Sequence, residues 1–205
     1  VVEGPGILLS VFEPFGGASI NASQEAGIAL AALRTDIELL TLPVVRGEAE
    51  ARWIERMRLG RPTRFAVALG EADAKALVRL EKIARNIDDF RIPDNAGNRP
   101  DPSSILAGGP EELFSTVPVE AVAERLADTT AIEVAVSRSA GTFVCNHLAY
   151  CALHYLSESP ICPFVFVHVP KWRPDSDLAL DDIVATVDAV LTMIIVAAGA
   201  PSGVV

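Results

Sequence analysis

An α/β domain built on a largely parallel sheet is what the sequence predicts, and three observations predict it. Strand-like and helix-like runs alternate along most of the chain, the signature of a sheet with crossover helices. The runs at residues 6–12, 65–69 and 164–170 are almost continuously apolar, as buried strands are. The chain has 205 residues, 50% of them hydrophobic, which suits one domain over residues 1–205 with a sizeable core.

Taken in order, residues 6–12 read as the first buried strand. Glu13-Pro14-Phe15-Gly16-Gly17-Ala18-Ser19 is a turn, and Asn21 with Gln24 caps a helix over 25–34. The turn matches neither GxGxxG nor the phosphate-loop pattern, so it is not a phosphate cradle; Phe12 and Phe15, three residues apart, are its notable feature. A strand at 37–42 stops at Pro43, a helix with a charged face spans 48–59, and a third strand at 65–69 ends at Gly70.

Residues 76–84 alternate as a strand. Val78, Leu80, Lys82 and Ala84 share one face, and Leu77, Arg79, Glu81 and Ile83 the other. Glu81 among apolar neighbours requires a partner, unless this is a solvated edge strand. Residues 86–110 are dense in Asp, Asn, Gly and Pro, and a connection this long is functional or mobile. Pro118 opens a helix to 127, a strand follows at 132–136, a helix at 148–156, and an apolar strand at 164–170 that ends at His168. The last helix, 177–198, has acidic residues in its first turns. Its apolar part is interrupted by Asp188 and is too short to cross a membrane. Ile183, Val187, Val190, Leu191, Ile194 and Ile195 exceed one core stripe, so part of this helix is expected to meet another subunit.

A formal net charge of −10 excludes nucleic acid and anionic membrane surfaces as partners. The three cysteines, at 145, 151 and 162, form no CxxC pair and no familiar zinc spacing with histidine. A reducing compartment and the absence of a structural metal are the expectations. Residues 1–5 show no basic segment of a signal peptide.

The chemistry centres on Ser139-Ala140-Gly141-Thr142-Phe143-Val144-Cys145-Asn146-His147, a passage from strand to helix. Unpaired backbone N–H groups at a helix start favour a thiolate and hold a developing oxyanion. Cys145 is therefore the candidate nucleophile, the alternative being a small buried apolar residue. Of the three histidines, His147 points about 200° around the helix from Cys145, and His154 about 180°. His168, at a strand end where ligands of open α/β sheets gather, is the remaining base. Glu81, Asp88 or Asp89 would orient it.

Five pieces occur in order: Phe12-Glu13-Pro14-Phe15-Gly16-Gly17, Leu80-Glu81-Lys82-Ile83-Ala84-Arg85-Asn86, Arg91-Ile92-Pro93-Asp94-Asn95, Ser139 through Asn146, and His168-Val169-Pro170. Together they resemble the type I pyroglutamyl peptidases, a cysteine peptidase family, across nearly the whole chain. The resemblance implies a three-layer α/β/α sandwich of the phosphorylase/hydrolase-like kind with a mixed, largely parallel sheet. It implies Cys145 as nucleophile, His168 as base and Glu81 as acidic partner. Phe12 and Phe15 would line the pocket for the five-membered lactam, with Phe143 nearby and Arg91 supporting the site or the oxyanion.

By the same resemblance the enzyme is cytosolic, uses no cofactor or metal, and is a homo-oligomer, a dimer or tetramer. The expected substrates are peptides with an N-terminal pyroglutamate, cleaved after that residue. The sequence departs from the family at Ser10-Val11, at Ala22 and at 70–75, where Gly70-Glu71-Ala72-Asp73-Ala74-Lys75 replaces a common Gly-Gln-Ala-Gly-Gly-Arg. Glu71 falls near the pocket and sustains an alternative, a cysteine amidase acting on another small cyclic or acyl amide. A catalytically silent binding module on the same fold is the alternative of another class.

Overall fold

The computed structural model describes residues 6–59, 62–72 and 76–199. The first half of the chain contains β1 (Ile7–Phe12), α1 (Ala22–Leu33), β2 (Ile37–Leu42), α2 (Glu48–Arg58) and β3 (Phe65–Ala72). Next come β4 (Leu77–Glu81), β5 (Ile83–Arg85), β6 (Glu112–Phe114) and α3 (Val119–Leu126). The chain then forms β7 (Glu133–Ser137), α4 (Val144–Glu158), β8 (Phe164–Pro170) and α5 (Leu180–Gly199).

Because successive strand residues point to opposite sides, each apolar strand feeds two cores. Ile7, Leu9 and Val11 of β1 and Val165, Val167 and Val169 of β8 pack with α1, α3 and α5. Leu8 and Phe12, and Phe164 and Phe166, pack with α2 and α4 on the other face. Three layers result: two helical layers and one sheet between them. The main sheet has the order β2-β1-β3-β8-β4-β7. Every neighbour pairing is parallel except β4 with β8. The expected three-layer fold with a mixed, largely parallel sheet is the observed one.

Local sequence sets the element ends. Asn21 caps α1, its Oδ1 accepting from Ser23 N at 3.0 Å. Glu50 accepts from Gly47 N at 3.1 Å at the start of α2. On the side of that helix turned to the sheet, Arg56, 6% exposed, forks onto Glu38 of β2 at 2.6 and 2.7 Å and so ties α2 to the sheet.

Several expectations change. Gly70 does not end β3, which runs on to Ala72, since Gly70, Glu71 and Ala72 pair with His168, Val169 and Pro170. The strand expected over 76–84 is two, because Lys82 leaves the ladder: β4 is interior, between β8 and β7, and β5 turns away to pair with β6. The long connection after it, residues 86–110, holds a bridge between Asp88 and Ser103 and is followed by β6. The last helix starts at Leu180 rather than 177. Its Ile183, Val187, Val190, Leu191 and Ile194 are buried in the chain's own core, with Ile195 partly buried against it. That removes the reason given for a subunit contact there. Of the segment 70–75, Asp73, Ala74 and Lys75 lie outside the described residues.

Candidate active site

Strand parity places the site. Phe12, Gly70, Arg79, Glu81 and His168 all fall on the sheet face that carries α2 and α4, as their strand neighbours Leu8, Ala68 and Phe166 do. β8 is an interior strand, so His168 is buried at 5% exposure. β4 runs antiparallel beside it with Glu81 opposite Phe166 and Arg79 opposite His168. Glu81 Oε1 then lies 2.7 Å from His168 Nδ1, both side chains buried. The partner that a carboxylate among apolar residues requires is this imidazole.

A carboxylate on Nδ1 accepts its proton and leaves Nε2 as the ring's lone pair, the tautomer a base needs. Glu81 Oε2 has no hydrogen-bond partner among the described residues. Arg79 Nε stands 3.8 Å from Oε1. The charge of Glu81 is thereby concentrated on the histidine. Phe166 lies against the ring of His168 at 4.9 Å between centroids and fixes its plane.

Cys145 is the second residue of α4, after an extended Phe143 at the cap. The first backbone bond of the helix is His147 N to Phe143 O, so the amides before it have no intrahelical acceptor. Close approach to the sheet is possible because residue 70 is glycine. A Cβ there would lie 2.8 and 2.9 Å from the Phe166 ring and 3.0 Å from Cys145 Sγ. The sulfur and the strand that pairs with His168 meet at that point. Burial first, and the charge of Glu81 second, push the Cys145 thiol up to about 12, while its own backbone N–H and Arg79 pull the other way. These surroundings favour the protonated form of the sulfur.

Cys145, His168, Phe12, Phe15, Phe143, Glu71 and Arg91 line one cavity of about 540 Å³, with Arg79. Glu81 lies behind His168 rather than on the wall. Phe15 and Phe143 face each other at 6.0 Å, and Phe143 rests edge-on against the buried Phe90 at 4.7 Å. Phe12 is buried at 2% and packs on Phe166, so it forms the floor. Arg91 is exposed at the rim. Glu71 does not present a bare charge. Its carboxylate takes both terminal nitrogens of Arg173, at 2.9 and 3.0 Å, and the Ala22 N–H at the start of α1, at 2.7 Å.

Asp88, Asp89 and His147 have other engagements. His147 is held by Asp88 through Nδ1 at 2.9 and 3.0 Å and by Glu50 through Nε2 at 3.1 Å, on the far side of α4 from the cavity. Asp89 lines the same cavity, and its backbone is tied to Thr142: Asp89 N donates to Thr142 O, and Thr142 Oγ1 donates to Asp89 O. Sequence reasoning missed Phe90 and Gly70, whose roles depend on non-local neighbours. Arg79 had a visible signal, since it shares the strand face of Glu81.

Two opposed strands and a helix start thus converge three chemically distinct groups on one cavity, in the chain order Glu81, Cys145, His168. A family model described as pyroglutamyl peptidase matches residues 6–199. The chain belongs to the pyroglutamyl peptidase family. Pyrrolidone-carboxylate peptidase of Vibrio parahaemolyticus is 37% identical over 198 residues, covering 92% of both chains. That of Klebsiella pneumoniae is 39% identical over 174 residues, covering 82% of this chain and 79% of its own. Among solved structures, pyroglutamyl peptidase I of Bacillus amyloliquefaciens superposes with a TM-score of 0.82 at 31% identity, covering 92% and 93% of the two chains. Pyrrolidone carboxyl peptidase of Pyrococcus furiosus gives 0.80 at 28% identity, over 92% and 97%. The membership agrees with the resemblance carried by the five sequence pieces and makes this chain a cysteine peptidase.

Proposed function

We propose that residues 1–205 form one catalytic domain that removes N-terminal pyroglutamate from peptides, with Cys145 as nucleophile, His168 as base and Glu81 as its orienting carboxylate. The observation that carries the reading is the buried 2.7 Å contact by which Glu81 holds Nδ1 of His168 from behind, while His168 and Cys145 line the same cavity. His168 Nε2 takes the proton of Cys145 as the sulfur attacks the pyroglutamyl carbonyl. Amides of the first turn of α4 receive the oxyanion. The imidazolium, stabilised by Glu81, protonates the leaving amine, and water then hydrolyses the thioester.

Phe12, Phe15 and Phe143 supply flat apolar walls for a neutral lactam, and Arg91 supports the rim. Glutamine in the same slot brings an ammonium into apolar surroundings, at several kcal/mol. Because the Glu71 charge is offset by Arg173, it favours no cationic substrate, and its role is to shape the wall. Cytoplasmic residence is supported by three free cysteines, and among the described residues no helix is long and apolar enough to cross a membrane. Assembly as a dimer or tetramer rests on the family resemblance alone.

The test is release of aminocoumarin from its pyroglutamyl, glutaminyl and prolyl derivatives. The last two should be at least ~10²-fold slower, as when polar groups of a site go unmatched. Loss of this preference in Phe15→Ala, with Cys145 still alkylated by iodoacetamide, is expected. Failure of the wild-type protein to cleave the pyroglutamyl derivative would refute the proposed specificity.

A further inference from the structure

On the side of α4 away from the cavity, a second set of chemically capable groups converges. His147 and Cys151 are four residues apart on α4 and so stand on one helix face. Glu50, in the first turn of α2, meets them across the helix–helix contact. The other polar atoms of this cluster are already engaged. Glu50 Oε2 accepts from Gly47 N at 3.1 Å. Both oxygens of Asp88 lie 2.9 and 3.0 Å from His147 Nδ1, and Arg46 Nε donates to Asp88 Oδ2 at 2.6 Å. What converges is Glu50 Oε1, His147 Nε2 and Cys151 Sγ, all within 4.8 Å of one another.

One carboxylate oxygen, one imidazole nitrogen and one sulfur suit a borderline-soft divalent ion with water as fourth ligand, and do not suit magnesium or calcium. The backing of His147 by Asp88 is the arrangement that fixes a metal-binding imidazole with its other nitrogen aimed at the ion. Glu50 Oε1 and His147 Nε2 lie 3.1 Å apart, and an ion entering here would take the nitrogen and the sulfur in their deprotonated forms.

We propose that Glu50, His147 and Cys151 form a binding site for a zinc-class divalent cation that staples α2 to α4. None of the three lines the catalytic cavity, so the site is separate from turnover. The i, i+4 pair of His147 and Cys151 is visible in the sequence, whereas Glu50 and Asp88 join it only through folding.

The experiment is titration with cobalt(II) alone, monitored by absorption, on Cys145→Ser protein so that the catalytic thiol cannot supply the sulfur. One equivalent should give a thiolate-to-cobalt charge-transfer band that added zinc(II) removes. Cys145→Ser/Cys151→Ser should lack the band. Glu50→Gln, which keeps its bond to Gly47, should weaken cobalt binding at least ~10-fold. A band that survives loss of Cys151, no band in the Cys145→Ser protein, or unchanged affinity in Glu50→Gln would overturn the proposal.

Discussion

Gly70→Ala is the smallest change that tests how the nucleophile is seated. The new methyl would lie 2.8 and 2.9 Å from two atoms of the Phe166 ring and 3.0 Å from Cys145 Sγ. Ordinary carbon contacts are about 3.5–4.0 Å, so something on the order of 0.5–1 Å must be recovered by movement. The ring cannot retreat freely, since it packs on Phe12 at 6.3 Å and His168 at 4.9 Å between centroids. The sulfur and the imidazole therefore share the displacement. Overpacking of this kind costs about 1–3 kcal/mol, or roughly 2–12 °C in Tm for a domain of this size. Misplacement approaching 1 Å costs ~10²-fold in rate. The expected result is kcat lower by ~10- to 10²-fold with KM nearly unchanged, because Phe15 and Phe143 are untouched. Steady-state kinetics with pyroglutamyl-aminocoumarin, the rate of Cys145 alkylation and a thermal melt measure the three effects. Wild-type kcat, alkylation and Tm together in Gly70→Ala would refute the close seating of Cys145 against β3.

Glu81→Gln should lower kcat by at least ~10²-fold yet less than Cys145→Ala, because a carboxamide orients His168 without charge and permits the wrong tautomer; equal losses in the two variants would contradict the assigned roles. The pH dependence of stability follows from Cys145. Its thiol is raised from 9.0 to about 12 in the fold, so between those values the unfolded chain binds fewer protons and stability falls as pH rises. Melts from pH 8 to 11 should show wild type losing ground to Cys145→Ser, and parallel curves would speak against a buried neutral thiol. Arg56→Ala removes the two-bond fork onto Glu38, and urea unfolding should show a loss of about 1.5–3 kcal/mol, with kcat preserved; a loss under 1 kcal/mol would mean that the fork contributes little.

The sequence carried much of this arrangement because period and elimination both acted locally. Continuous apolar runs marked β1, β3 and β8, and the incompatible helical angles of His147 and His154 left His168. Pattern alone left the carboxylate open among Glu81, Asp88 and Asp89; the family resemblance pointed to Glu81, and the placement of β4 beside β8 gives the physical reason. Nothing in residues 77–81 announces that this strand runs against its neighbour, and that pairing is what sets Glu81 rather than Asp88 beside the imidazole. Lys82, the one residue between β4 and β5, looked like another step of the alternation, but its backbone N–H bonds to Ser137 O, outside the paired register of β4. The apolar excess of α5 was read as an outer surface. A helix with the sheet on one side and α1 and α3 flanking it needs a wider apolar arc than a single stripe.

Asp89 and Thr142 hold each other by two bonds, Asp89 N to Thr142 O at 3.1 Å and Thr142 Oγ1 to Asp89 O at 2.7 Å. One strand of that latch leads directly to Phe90 and Arg91, and the other to Phe143 and, three residues on from Thr142, to Cys145. On the proposed roles, the wall that meets the substrate ring and the segment that carries the sulfur are tied together at this latch. An ill-fitting residue that pries the wall outward also tilts the sulfur away from its target. Errors of fit are then punished in the rate of bond breaking, even for a peptide that is already bound. For anyone seeking to retune this enzyme, the aromatic slot and the latch form one design problem.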